Sequence, residues 1–106
     1  MKGKTMITCY LRYEIDPSKI EEFEEYAKKW IPIVNNFGGT HHGYFLPYEG
    51  KNYEAVALFS FPSLAAYEAY RVKSKSDPEC LAAWEHSKST GCVRKVERQF
   101  MRPVFE

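Results

Sequence analysis

The sequence has no apolar run of consequence to a membrane. Its longest, Ala55-Val56-Ala57-Leu58-Phe59, falls far short of the ~20 residues that span a bilayer. Met1-Lys2-Gly3-Lys4-Thr5 leads into no apolar stretch of the kind a signal peptide carries. Cysteine is scarce: Cys9, Cys80 and Cys92 are odd in number and no two form a C-x-x-C pair. A disulfide framework and a thiolate metal site are both unsupported, and reduced thiols in a cytoplasmic protein are expected. Charge of one sign is lacking as well. Fifteen Lys+Arg against 14 Asp+Glu leave a formal net charge of +1, whereas phosphate binding calls for a clear basic excess. Nucleic acid and anionic membrane are therefore not expected as the main partners.

Aromatic carbon is what the chain has in surplus. Its 106 residues include 8 Tyr, 7 Phe and 2 Trp, 16% of the total. That length makes one domain, residues 1–106, and a domain so small buries roughly two-thirds of its unfolded surface in a thin core. The rings exceed what such a core needs. Several are expected to line a second buried surface, a pocket or a subunit interface.

Periodicity supplies the elements. Met6 to Ile15 alternates as a strand, with Ile7, Cys9, Leu11, Tyr13 and Ile15 on one face and Met6, Thr8, Tyr10, Arg12 and Glu14 on the other. Asp16-Pro17 opens a helix, the carboxylate capping free N–H groups and the proline filling a position that needs no donor. Ile20, Phe23, Ala27, Trp30, Val34 and Phe37 form its apolar stripe. Pro32 is expected to bend this helix or end its regular part, and Gly38-Gly39 stops it. Thr40–Tyr48 and Tyr53–Phe61 read as strands joined by Glu49-Gly50-Lys51-Asn52. Pro62-Ser63 starts a second helix, and Asp77-Pro78 starts a third, shorter one carrying Trp84. Cys92 to Val104 alternates as a last strand, with Pro103 suggesting an edge or a terminus.

The order β-α-β-β-α(α)-β is the ferredoxin-like arrangement, an α+β fold with a four-stranded antiparallel sheet and helices on one face. Alternate positions on the other face should then be charged, and they are not. Tyr44 and Leu46 alternate with Phe45 and Pro47, and Ala57 and Phe59 with Val56 and Leu58. The strand phases assign Tyr10, Tyr44 and Phe59 to the face the helices cannot cover. The simplest cover is a second copy, giving a homodimer in which two sheets enclose a dimeric α+β barrel that can hold a small-molecule ligand.

The residues also carry a likeness. Leu11-Arg12-Tyr13 through Asp16-Pro17, the stretch Gly38-Gly39-Thr40-His41-His42-Gly43-Tyr44-Phe45, the segment Phe61-Pro62-Ser63-Leu64-Ala65-Ala66-Tyr67 and Asp77-Pro78-Glu79 resemble the NIPSNAP family over nearly the whole chain. The resemblance implies a dimeric α+β barrel but no settled reaction. The wider superfamily implied by it includes monooxygenases, isomerases and haem-handling enzymes.

Candidate site residues emerge from chemistry. Arg12, beside the Tyr10 hydroxyl, suits a cationic anchor for a carboxylate or enolate; the plainer reading is an ion pair with a cross-strand acid such as Glu97, or a dimer contact. His41 and His42 point to opposite faces of their strand. Phase with Tyr44 selects His42 as the barrel-facing residue, a general base or a haem ligand in a dry pocket, against the plainer role of a satisfied structural histidine. No carboxylate or further histidine stands at ligand spacing, so no metal is expected. Tyr44 and Phe59 are read as pocket lining and Trp84 as a wall at the barrel mouth.

Gly38-Gly39 and Gly43 come after a helix and before a strand, the reverse of a phosphate loop. Arg94, Lys95, Arg98 and Arg102 make the last strand locally basic. Even so, Asn52-Tyr53-Glu54-Ala55-Val56-Ala57-Leu58-Phe59 lacks the K/R-G-F/Y pattern of an RNA-binding sheet.

Two functions are consistent with these residues. In the first, a dimeric barrel without a bound cofactor oxygenates or isomerises a small apolar or aromatic compound. Arg12 and Tyr10 hold an oxyanion, His42 moves a proton, and Tyr44, Phe59 and Trp84 shape the cavity. The alternative is a non-catalytic binding or interaction module whose aromatics fill the dimer core. A cavity of at least ~300 Å³ with Arg12 or His42 on its wall separates the two.

Overall fold

The computed structural model describes residues 6–105. Its elements run β1 (Ile7–Ile15), a 3-10 turn (Pro17–Lys19), α1 (Ile20–Asn36), β2 (Thr40–Phe45), β3 (Glu54–Phe61), α2 (Leu64–Ser74), α3 (Pro78–Thr90) and β4 (Val93–Met101). The strands pair antiparallel in the order β2-β3-β1-β4. This is the α+β, ferredoxin-like arrangement that the element order implies.

The caps explain where the helices begin. Asp16 accepts from the Ser18 N–H at 3.0 Å and from its hydroxyl at 2.8 Å, which sets the 3-10 turn ahead of α1. Ser63 accepts from the Ala66 N–H at 3.1 Å, and Asp77 from the Cys80 N–H at 3.0 Å. Each such cap contributes about 1 kcal/mol.

One local expectation is narrowed and two are corrected. Pro32 does not end α1, which continues to Asn36; the lost N–H is tolerated because α1 is pinned on both sides of it by buried Trp30, Ile33 and Val34. The third helix is longer than the second, 13 residues against 11. The second strand stops at Phe45 rather than Tyr48, so Tyr48 lies in the connection and is fully exposed.

The helices cover the face of β1 that carries Cys9, Leu11, Tyr13 and Ile15, all buried. Register places Ala55, Ala57, Phe59 and Phe61 of β3 on that same face, since Cys9 pairs with Phe59 and Leu11 with Ala57. Phe23, Tyr26, Trp30 and Val34 of α1, with Tyr67 and Tyr70 of α2, complete one continuous aromatic core. Close approach at the α1–β2 junction needs a glycine. A Cβ at Gly39 would stand 2.8 Å from the Phe61 ring and 2.9 Å from Val34.

The opposite face is open. It carries Tyr10 and Arg12 of β1, Val56 and Leu58 of β3 and exposed Phe45 of β2, together with Thr8, which is buried against Ser60. β4 lies at the sheet edge and is largely exposed along its length. The aromatic surplus thus goes mainly into the helix–sheet layer.

Candidate functional site

Between the helices and the covered face lies a cavity of about 90 Å³. β1, β2 and β3 form its floor through Tyr13, Tyr44 and Phe59, α1 contributes Trp30, and Trp84 of α3 and Arg98 of β4 also line it. Trp84 packs on Trp30 with centroids 5.3 Å apart and remains 37% exposed, so it marks the rim. Tyr44, Phe59 and Trp84, expected as pocket lining, are therefore brought together, but on the covered side of the sheet.

A β-bulge explains that correction. His41 pairs with Phe59 and Gly43 with Leu58, leaving His42 as the extra residue. The bulge breaks the alternation, so His41 and Tyr44 share the covered face and His42 points away from them. Gly43 supplies the backbone for this kink with φ +111, a region that side chains disfavour. The phase argument that linked His42 to Tyr44 assumed a strand without an insertion. Phe59 is set by β1 register onto the covered face for the same reason as Ala57.

The proposed catalytic trio lies on the other side of the sheet. The Arg12 guanidinium donates to Glu54 Oε1 at 2.9 Å and to Glu97 Oε1 at 3.0 Å. That is the ion pair with Glu97 in the plainer reading, widened by a second acid. Tyr10 lies one pleat away, half-buried. His42 Nε2 hydrogen-bonds the Ser60 hydroxyl at 2.8 Å, and Ser60 in turn bonds Thr8 at 2.7 Å. None of the three lines the cavity.

His41 is what sequence reasoning missed. Its imidazole stacks on Tyr44 at 5.0 Å and lies 5.5 Å from Phe59. Burial, reinforced by the neighbouring His42, pushes its pKa down to about 4, so it is neutral at physiological pH. The Gly43 N–H donates to His41 Nδ1 at 2.9 Å, which assigns the ring proton to Nε2. Nε2 is buried without a partner among the described residues, and so is Trp30 Nε1. The available signal was the glycine two residues after His41, a common companion of a bulge.

Two cations and several phenols complete the wall. Arg71 donates to the Tyr67 hydroxyl at 2.7 Å and stands 5.8 Å from the centre of that ring. Burial raises the pKa values of Tyr13, Tyr26, Tyr44 and Tyr70 above the ordinary phenol range, so these hydroxyls keep their protons. Among the described residues no Asp or Glu lines the cavity, and no group of three or more His, Cys, Asp and Glu is placed to hold a metal ion. No helix among them is long and apolar enough to cross a membrane.

Comparison with known proteins extends the picture. A family model described as NIPSNAP matches residues 10–105. No curated protein matches the chain. A NIPSNAP family protein of unknown function from Agrobacterium tumefaciens is similar in structure, with TM-score 0.79 and 22% identity over 93% of this chain and 88% of that one. An uncharacterised NIPSNAP-like domain protein from Burkholderia xenovorans gives TM-score 0.75 and 20% identity, over 93% and 85%. A Bacteroides thetaiotaomicron protein assigned provisionally to the antibiotic biosynthesis monooxygenases gives TM-score 0.66 and 17% identity, over 97% and 93%. At these identities the likeness to each structure is one of fold.

Proposed function

Because this chain belongs to the NIPSNAP family, we propose that it is a cytoplasmic small-molecule-binding protein that works as a homodimer, its ligand a small apolar or aromatic compound. The observation that carries the reading is the aromatic cavity between sheet and helices, where Tyr44, Phe59 and Trp84 form wall and rim. A mostly aromatic lining with a few polar groups is the usual make-up of a ligand site. The open sheet face supports the dimer: Tyr10, Phe45, Val56 and Leu58 gain cover there from a second copy, while Arg12, Glu54 and Glu97 arrive already paired.

Oxygenation or isomerisation of the bound compound without a cofactor is the proposed activity. The neutral His41 and the protonated tyrosines supply hydrogen-bond donors in a dry site, and the monooxygenase assignment of a structural neighbour points the same way. Tyr10, Arg12 and His42 can act on a substrate only if it is held between two sheets, since the cavity excludes them.

The non-catalytic reading has its own observation. A volume of about 90 Å³ is well under the ~300 Å³ at which ligand pockets ordinarily begin, and neither Arg12 nor His42 stands on its wall. In that reading the protein is a binding or interaction module with a nearly filled core. Native mass spectrometry of protein purified from its own host tests both proposals. A dimer carrying a small organic molecule is expected; a ligand-free monomer sinks both the dimer and the ligand, and a ligand-free dimer leaves the module.

A further inference from the structure

Two residues that line one cavity each carry a buried N–H outside the hydrogen-bond network of the described residues. His41 Nε2 and Trp30 Nε1 are both shielded from solvent and unpartnered among the described residues, and both residues line the same space. A buried donor without an acceptor is destabilising, so two beside one small cavity form a standing demand for acceptor atoms. The demand is one-sided. The Gly43 N–H occupies the lone pair of His41 Nδ1, which leaves the ring able to give a hydrogen bond and unable to take a proton there. Indole has no acceptor nitrogen at all. Arg98 and Arg71 add positive charge on the wall, no carboxylate faces them across the cavity, and neither is ion-paired among the described residues.

We propose that the cavity selects a planar aromatic ligand bearing an acceptor oxygen, a ketone or a carboxylate, and that His41 Nε2–H and Trp30 Nε1–H are the recognition donors. This rests on the small-molecule reading above and deepens it: the ligand's ring lies among the aromatic residues, and its oxygen meets the two N–H groups. His41 is then a hydrogen-bond donor that polarises or stabilises an oxygen, not a base. Because burial keeps the imidazole neutral, it donates without adding a charge that the cavity would have to solvate. A ligand larger than the cavity extends past the rim at Trp84.

Three one-ring probes separate the outcomes: acetophenone, its near-isostere ethylbenzene, and benzoate. Each is titrated into the full-length protein and monitored by the ¹H–¹⁵N signals of the Trp30 indole and the His41 ring. Acetophenone or benzoate is expected to bind, to move both N–H protons downfield, and to bind at least roughly fivefold more tightly than ethylbenzene, the worth of one ordinary hydrogen bond. Tighter benzoate than acetophenone assigns a share to the arginines; the reverse order assigns recognition to the N–H pair alone. Ethylbenzene binding as well as both oxygenated probes overturns the inference and leaves the small-molecule reading standing. Failure of all three overturns both.

The variant arm uses H41L and H41Q. H41L is expected to lose roughly fivefold more affinity for acetophenone than for ethylbenzene, and H41Q, which keeps an N–H donor, to recover most of that difference. A near-UV circular dichroism spectrum matching that of the parent protein shows that the fold is intact in both. Equal acetophenone affinity in H41L and the parent protein rejects His41 as a recognition donor.

Discussion

The His41 imidazole lies almost parallel to the Tyr44 ring, with centroids 5.0 Å apart and 15° between planes. Stacking removes water from one face of the histidine, and its ring is buried deeply enough to hold the pKa near 4. The unfolded chain binds a proton at His41 near pH 6.5, and the folded one only near 4. Between those values the unfolded state therefore carries more protons, and stability falls as pH drops from about 6.5 toward 4. Urea midpoints measured across that window are expected to decline in the parent protein and to decline less in H41Q. The same slope in both proteins assigns the effect to other groups.

Gly43 holds the kink that aims His41 inward. At φ +111 an alanine is strained even though nothing lies within 4 Å of its Cβ. G43A is expected to cost about 1–3 kcal/mol and to shift the His41 ring signals, since the N–H that fixes the tautomer moves with the bulge. An unchanged melting curve would show the backbone to be free of that requirement.

Gly39 differs because its constraint is steric. G39A drives a methyl against the Phe61 ring and Val34, an overpacking that typically costs about 1–3 kcal/mol. Chemical denaturation checks it. Pairing G39A with F61L is expected to restore part of the loss, whereas additive losses would place the strain elsewhere.

Arg12 bridges Glu54 of β3 and Glu97 of β4 across the open face. R12E gathers three acids there and is expected to shift the proposed dimer toward monomer in sedimentation equilibrium, with the exchange R12E/E97R recovering association. If R12E sediments as the parent protein does, the second copy does not pack on this face.

The fold was legible where the signal was local and repetitive. Asp16-Pro17, Ser63 and Asp77-Pro78 announce their helix starts because capping is decided within a few residues. Alternation in β1 and β3 separates the buried run from Cys9 to Ile15, and from Ala55 to Phe61, from the residues between them. The site was less legible, and β2 is the reason. One inserted residue at His42 inverts the phase of every later position in the strand, so the alternation put His42 and Tyr44 on one face, whereas the bulge puts them on opposite faces. The face of Phe59 depends on its pairing with Cys9, a partner far away in sequence. Pro32 leaves α1 unbroken for a related reason, since burial of its neighbours along the helix outweighs the missing hydrogen bond.

The three cysteines give the molecule an internal clock. Cys9 sits in β1, Cys80 at the start of α3 and Cys92 just ahead of β4, each with 0% exposure. Burial, with Asp77 second, pushes the Cys80 thiol up to about 12, and burial raises Cys9 as well, so reactive thiolate is scarce in the native state. An alkylating reagent therefore reads how often each region opens. Equal rates at all three positions mean that the sheet and its helices let go together; a fast Cys80 means that α3 lifts away on its own, and with it the rim of the cavity.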